Sequence, residues 1–332
     1  MRAASYPREG AARDVLTVGD LATPDPGPGQ VRVRIRVSAV NPTDTKTRDG
    51  TTSRPFDDVR VPHQDGVGEI DAVGDGVDPS RIGQRVWVWL ASPGGHGGDP
   101  LAEWGTCAEY TVVPDRQATA LPEDAPDDLG ACLGVPAMTA YHCLFADGSL
   151  AGATVLVTGG AGAVGHYAIE LARWAGATVV STVSGPEKAE LARAAGAHHV
   201  VNYREGDPAA AILDAAGPVD RVVEVSLAQN LEQDLRVLSD GGRIVSYAAT
   251  PQDPVLPVRR LMTGNAGLRF VLLYGVRRDV LGDTARAITA AAGHGALSPL
   301  PIHRFGLDDV VAAHEAVERG TTGKVVVDVP FR

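Results

Sequence analysis

The chain has 332 residues, 44% of them hydrophobic, the composition of an ordinary globular protein with room for two domains. Its formal charge of −11 sets up a field that repels phosphate backbones and anionic lipid, so neither nucleic acid nor a membrane surface is expected as a partner. Three scattered cysteines, Cys107, Cys132 and Cys143, fit neither a disulfide framework nor a metal clip.

The opening MRAASYPREGAARD has no apolar signal core, and no run approaches the roughly 20 apolar residues of a membrane span. A cytoplasmic enzyme acting on a small neutral molecule is the expectation. Of the 30 basic residues only Lys46, Lys188 and Lys324 are lysine. Against that arginine-rich background, a retained lysine marks a position where a compact ammonium is of use.

In chain order, residues 15–40 read as short strands broken by turn chemistry. In VRVRIRVSAV the residues Val31, Val33, Ile35 and Val37 share one face of a half-buried antiparallel strand. VGEIDAVG, RVWVWL and TCAEYTVVP repeat the pattern between Gly- and Pro-rich clusters such as DGVDPSRIG and SPGGHGGDPL. The first 125 or so residues thus predict an antiparallel β-domain.

From about Asp127 strands and helices alternate: ATVLVTGG, HYAIELARWAG, ATVVSTVS, PEKAELARAAG, HHVVNY, DPAAAILDAAG, DRVVEV, LEQDLRVLSDGG and RIVSYA. Repeated units of this kind predict a parallel sheet covered by helices on both faces, closed near residue 270 by LRFVLLY. DVLGDTARAITAAAGHG and GLDDVVAAHEAVERG read as helices and GKVVVDV as a strand. This tail has no core of its own and is expected to pack back on the first domain. The predicted division is therefore 1–127 plus 276–332 for one domain and 128–275 for the other.

The strand TVLVTGG, the run Gly160-Ala161-Gly162-Ala163-Val164-Gly165 and an amphipathic helix follow one another directly. Two glycines let the turn close and the backbone approach a pyrophosphate at the helix N-terminus; the third lets helix and strand pack closely. GxGxxG alone is a weak signal, but here its strand–helix context supports it, and a dinucleotide is expected. About 20 residues on, where NAD sites carry an acid for the ribose 2′-OH, this chain has Ser184. A small hydroxyl leaves room for a 2′-phosphate that Lys188 would neutralise and Tyr203 would hydrogen-bond, so NADPH is the predicted cofactor.

In these and further motifs the chain resembles the medium-chain dehydrogenase/reductase superfamily, and within it the zinc-independent, ζ-crystallin-like quinone oxidoreductases. The resemblance is carried in order by AVNPTDTKTRDG, HQDGVGEI, VPAMTAY, the Gly-rich turn, VNYRE, SDGGRIVSY and GTTGKVVV, across nearly the whole chain. It implies an α/β protein with a Rossmann doubly wound parallel-sheet cofactor domain and a GroES-like antiparallel β catalytic domain.

Where zinc alcohol dehydrogenases of this superfamily hold their catalytic metal, the alignment of motifs places Asn41, Gln64 and Val135, and the four-cysteine structural lobe is absent. His63, one residue away, reads as a hydrogen-bonding residue rather than a ligand. No metal is expected. Without a Lewis acid the substrate must accept hydride readily, as quinones and α,β-unsaturated carbonyls do.

By the same resemblance Asn41 lies beside the nicotinamide and Asp44 organises its turn. Thr139 meets the carboxamide, and Ala161, Gly162, Ala163 and Val164 meet the phosphates. Asn230, Ser246, Tyr247, Ala248, Ala249, Val271, Leu272 and Leu273 line the cofactor, and Lys324 closes the far side. The departure is Lys46, where relatives commonly carry a tyrosine; its ammonium either donates to the developing oxyanion or points to solvent.

The leading expectation is NADPH:quinone reduction. An enone, alkenal or enoyl-thioester reductase is the alternative, although the chain shows no obvious basic rim for a thioester's anionic arm. A non-catalytic, crystallin-like NADPH-binding protein is the reading from a different class. The apolar edge LRFVLLY is expected to pair across a two-fold axis in a homodimer.

Overall fold

The computed structural model describes residues 1–52, 59–92 and 104–330; the turn cluster at 93–101 lies outside them. In chain order the strands are β1 Arg2–Ser5, β2 Thr17–Asp20, β3 Gln30–Val40, β4 Asp65–Val73, β5 Arg85–Val88, β6 Tyr110–Pro114, β7 Ala118–Ala120, β8 Thr154–Thr158, β9 Thr178–Val183, β10 His199–Asn202, β11 Val219–Glu224, β12 Leu238–Ser246, β13 Gly267–Phe270, β14 Ile302–Gly306 and β15 Lys324–Asp328. The chain divides into two compact units, one of Met1–Val135, Tyr274–Gly293 and Pro299–Arg332, the other of Pro136–Leu273 and His294–Ser298. Relative to the division drawn from the sequence, 128–135 and 274–275 belong to the first unit and 294–298 to the second.

The first unit is built on a seven-stranded sheet of order β14-β15-β3-β4-β5-β7, with β6 also paired to β3. Its centre is β3, whose Val31, Val33 and Ile35 are fully buried in one apolar cluster with Ile70, Val86, Val88 and Val113. The arginines that alternate with them face acids: Arg32 Nε donates to Asp71 at 3.0 Å, and Arg36 Nη2 to Glu69 at 3.2 Å. Period-two patterning thus produces one dry and one ion-paired face.

The C-terminal segment completes this sheet, with β15 antiparallel to β3 and the helix Val310–Glu318 burying Val310, Ala313 and Ala316 in a second cluster with Ala3, Tyr6 and Val61. Strand β14, parallel to β15, was not foreseen; its residues are only partly buried and its apolar pattern is correspondingly faint.

The second unit is a six-stranded sheet of order β10-β9-β8-β11-β12-β13 with every pairing parallel. Val155, Leu156 and Val157 of β8 are fully buried, as expected of a strand covered on both faces. The strand order reverses direction at β8, so the crevice beyond its C-terminal end is the topological switch point where such sheets bind ligands. β12 begins at Leu238, earlier than the sequence pattern indicates, because Leu238–Gly242 join the ladder through a register shift opposite Val219–Arg221. β13 forms the edge, but only Gly267–Phe270 of the apolar segment is strand.

Candidate active site

In the first unit β3 ends at Val40 and Asn41 caps the helix Pro42–Asp49, with proline at its first position. The Asn41 backbone N–H donates to Asp44 Oδ2 at 2.7 Å, satisfying one of the orphan donors of a helix start. The Asn41 side chain is 2% exposed and sits between opposite charges. Its Nδ2 donates to Asp65 Oδ2 at 2.7 Å, and its Oδ1 accepts from the Lys324 ammonium. Because an ammonium only donates and a carboxylate only accepts, the orientation of this amide is fixed chemically.

Asp65 is fully buried and accepts the Val135 N–H at 2.9 Å on both oxygens. Gly134 makes that approach possible, since a Cβ there would lie 2.0 Å from Asp65 Oδ1. Burial pushes the Asp65 carboxyl up to about 6, against the pull of Lys324 and its hydrogen bonds. Burial and the Asp65 charge push Asp44 up to about 7. Around Asn41, two buried carboxyls are thus raised toward neutral pH.

Of the three lysines, only Lys324 joins this cluster. Lys324 is 3% exposed, whereas Lys46 lies exposed on the helix Pro42–Asp49. The four residues this helix buries are Asp44, Thr45, Thr47 and Arg48, so Lys46 stays on its exposed side, apart from the Asn41 hydrogen bonds. Asp65 was missed because HQDGVGEI looks like a turn followed by a strand; a charged residue at a buried strand start was the available signal.

The residues around Asn41 do not fit zinc. An amide, Gln64, whose Nε2 donates to the Ser92 carbonyl at 3.4 Å, and the hydrocarbon of Val135 are poor ligands, and Lys324 adds a fixed positive charge. His63 is committed elsewhere. Thr106 donates to the Asp65 carbonyl at 2.6 Å, which makes Ser38 the donor to Thr106 and His63 Nδ1 the donor to Ser38. His63 Nε2 then accepts from His314 Nε2 at 2.9 Å, so both ring nitrogens are used. Burial holds His63 well below its usual range and His314 down at about 3, keeping both rings neutral. Among the described residues no group of three or more His, Cys, Asp or Glu could hold a metal ion.

In the second unit the candidate cofactor residues fall along one rim, the C-terminal ends of the parallel strands. β8 runs into the glycine turn, and Gly162 caps the helix Ala163–Trp174 without any side-chain cap. Its first N–H groups, those of Ala163, Val164 and Gly165, thus have no intrahelical partner and present a positive dipole end. A Cβ on Gly165 would lie 2.4 Å from the Gly159 carbonyl oxygen, so only glycine permits this helix to start so close to the strand. The turn thereby fits a dinucleotide pyrophosphate.

Ser184 follows β9, Lys188 lies exposed on the helix Pro186–Ala194, and the Tyr203 N–H donates to the Val183 carbonyl at 3.0 Å, bringing the ends of β9 and β10 side by side. Ser246, 3% exposed, ends β12 and leads into Tyr247, Ala248 and Ala249. The Val271 N–H donates to the Ser246 carbonyl at 2.9 Å, which sets Val271, Leu272 and Leu273 beside them.

Thr139 is buried on the helix Met138–Phe145. Asn230 donates to Glu224 Oε1 at 3.0 Å. Glu224, at the end of β11, and Asp234, on the helix that follows, are both fully buried, and burial first of all pushes each carboxyl up. This acid pair beneath Asn230 was not foreseen, because its members are ten residues apart on different elements.

Residues 27–123 match the family model for the alcohol dehydrogenase GroES-like domain, and residues 163–289 match that for zinc-binding dehydrogenase. A quinone oxidoreductase of Lama guanicoe is 32% identical over 332 residues, covering 98% of this chain and 97% of its own. The 2-methylene-furan-3-one reductase of Solanum lycopersicum is 29% identical, covering 98% of this chain and 79% of its own. A solved NAD-dependent alcohol dehydrogenase superposes with a TM-score of 0.86 at 28% identity, covering 99% of this chain and 100% of its own. A mycobacterial protein complexed with NADPH superposes with a TM-score of 0.81 at 26% identity, with the same coverage.

Proposed function

Because this chain belongs to the quinone oxidoreductase branch of the medium-chain dehydrogenase/reductase superfamily, and is a nicotinamide-dependent oxidoreductase by that membership, we propose that it uses NADPH to reduce a quinone or similar conjugated carbonyl without a metal. The observation that carries this reading is the locked Lys324–Asn41–Asp65 group, which puts an ammonium and an amide among the residues that, in zinc enzymes of the superfamily, hold the metal.

The bound nicotinamide supplies the hydride. The glycine turn with Ala161, Gly162, Ala163 and Val164 holds the pyrophosphate, and Thr139, Asn230, Ser246–Ala249 and Val271–Leu273 fix the rest of the dinucleotide. Ser184, Lys188 and Tyr203 choose the phosphorylated ribose, a choice supported by the absence of an acid at Ser184. Asn41 borders the reacting ring. Lys324 acts on that ring through Asn41, and Asp44 fixes the turn.

The test is NADPH oxidation by 9,10-phenanthrenequinone, 1,4-benzoquinone and a simple enone, each set against NADH. The tomato reductase favours the second reading, reduction of an enone's C=C bond, and turnover of the enone alone would select it. We further propose a homodimer formed through β13.

A further inference from the structure

The position where relatives commonly carry a tyrosine holds the exposed Lys46, yet a tyrosine reaches the same helix from elsewhere in the chain. Tyr274, in the same unit as that helix, donates its phenol O–H to Thr43 Oγ1 at 2.9 Å. Thr43 is half-buried in the first turn of the helix Pro42–Asp49, between Asn41 and Asp44.

The geometry has the phenol as donor. Burial, with the nearby Asp44 and Asp65 carboxylates, holds the phenol's pKa well above the usual value, so it keeps the proton it donates. Thr43 Oγ1 therefore spends an acceptor site on Tyr274 and keeps its own hydrogen, which meets no acceptor among the described residues. A hydroxyl held as an acceptor on one side is a pre-oriented donor on the other.

We propose that Thr43 presents this hydroxyl to the oxygen of the carbonyl acceptor, and that Tyr274 is the positioning residue that turns it there. As the hydride and its electron pair enter the conjugated system, negative charge gathers on that oxygen, the Thr43 O–H stabilises it, and a proton from water completes the hydroxyl. This rests on the carbonyl-reduction reading above.

A double-mutant cycle tests it in the full-length enzyme, with whichever carbonyl acceptor the wild type turns over best. Thr43→Val is expected to lower kcat by about a hundredfold and Tyr274→Phe by about tenfold, with NADPH affinity by fluorescence titration unchanged within about threefold. In the Thr43→Val background, Tyr274→Phe is expected to cost less than about twofold, because the phenol acts only through the hydroxyl. Thr43→Ser should restore most of the rate. In the protein without cofactor, the melting-temperature shift from Tyr274→Phe should be smaller in the Thr43→Val background, which reads the bond itself.

Additive effects on kcat, or a rate loss matched by loss of NADPH affinity, overturn this inference alone. No turnover of any quinone or enone by the wild type overturns it together with the reading it rests on.

Discussion

Asn41 owes its position to charges that cannot be removed singly. Lys324→Met would leave two buried carboxyls without their ammonium, and breaking a buried pair in this way costs about 3–5 kcal/mol. The expected outcome is a lowered unfolding midpoint in urea together with loss of quinone reduction, and Lys324→Arg is expected to recover stability better than rate. An unchanged midpoint would mean the ammonium is not paired as described. The raised carboxyls also set a pH dependence. An acid whose folded pKa lies above its unfolded one stabilises the fold below the unfolded value, and that stability is lost as pH rises through the folded one. Asp65 thus contributes a fall in stability between about pH 4 and 6, and Asp44 one that extends to about 7. Asp65→Asn should flatten the lower part of that slope in denaturant titrations run across this range, and a slope identical to wild type would contradict the assignment. At the cofactor end, Lys188→Ala is expected to raise the KM for NADPH about tenfold and leave that for NADH within about twofold, as removal of a charge partner of the 2′-phosphate should. Equal effects on both cofactors would reject the preference.

At the scale of elements, the parts that sequence alone discloses are those whose causes are local. The glycine turn, its strand and its helix lie within twenty-one residues, 154–174, and their pattern states their geometry. Gly165→Ala should confirm it: with a backbone oxygen 2.4 Å from the new Cβ, the helix start must move, and NADPH affinity by fluorescence titration is expected to fall at least about tenfold. Affinity within twofold of wild type would show that the close packing is dispensable. The Asn41 cluster is different. Its partners lie 24 and 283 residues away along the chain, and Tyr274 is 231 residues from Thr43, so no window of sequence holds both halves of either contact. Family resemblance supplied Asn41 and Asp44 and placed the lysine at 324 in the site, but only the fold reveals that Lys324 is buried against Asn41 while Lys46 is exposed. Strand β14 and the early start of β12 were unreadable for a related reason, since both are held by ladder pairing rather than by an apolar stripe of their own.

For the whole molecule, the edge strand β13 raises the question of association. Phe270 is 67% exposed and Leu272 52%, and Val255, Val258 and Met262 are also exposed in the same unit. An apolar strand edge left bare is an aggregation hazard that pairing with a second copy removes. Light scattering at micromolar concentration is expected to give twice the 34.5 kDa chain mass, and Phe270→Lys to shift it toward the monomer; a monomeric wild type would refute the dimer. No helix among the described residues is long and apolar enough to cross a membrane. Central to the proposed chemistry is hydride transfer from NADPH to a conjugated carbonyl without a metal ion. The most direct test follows NADPH oxidation at 340 nm with 9,10-phenanthrenequinone as acceptor, before and after exhaustive treatment with EDTA. Turnover is expected to prefer NADPH to NADH and to be unchanged by the chelator; loss of activity with EDTA, restored by added zinc, would contradict the metal-free chemistry.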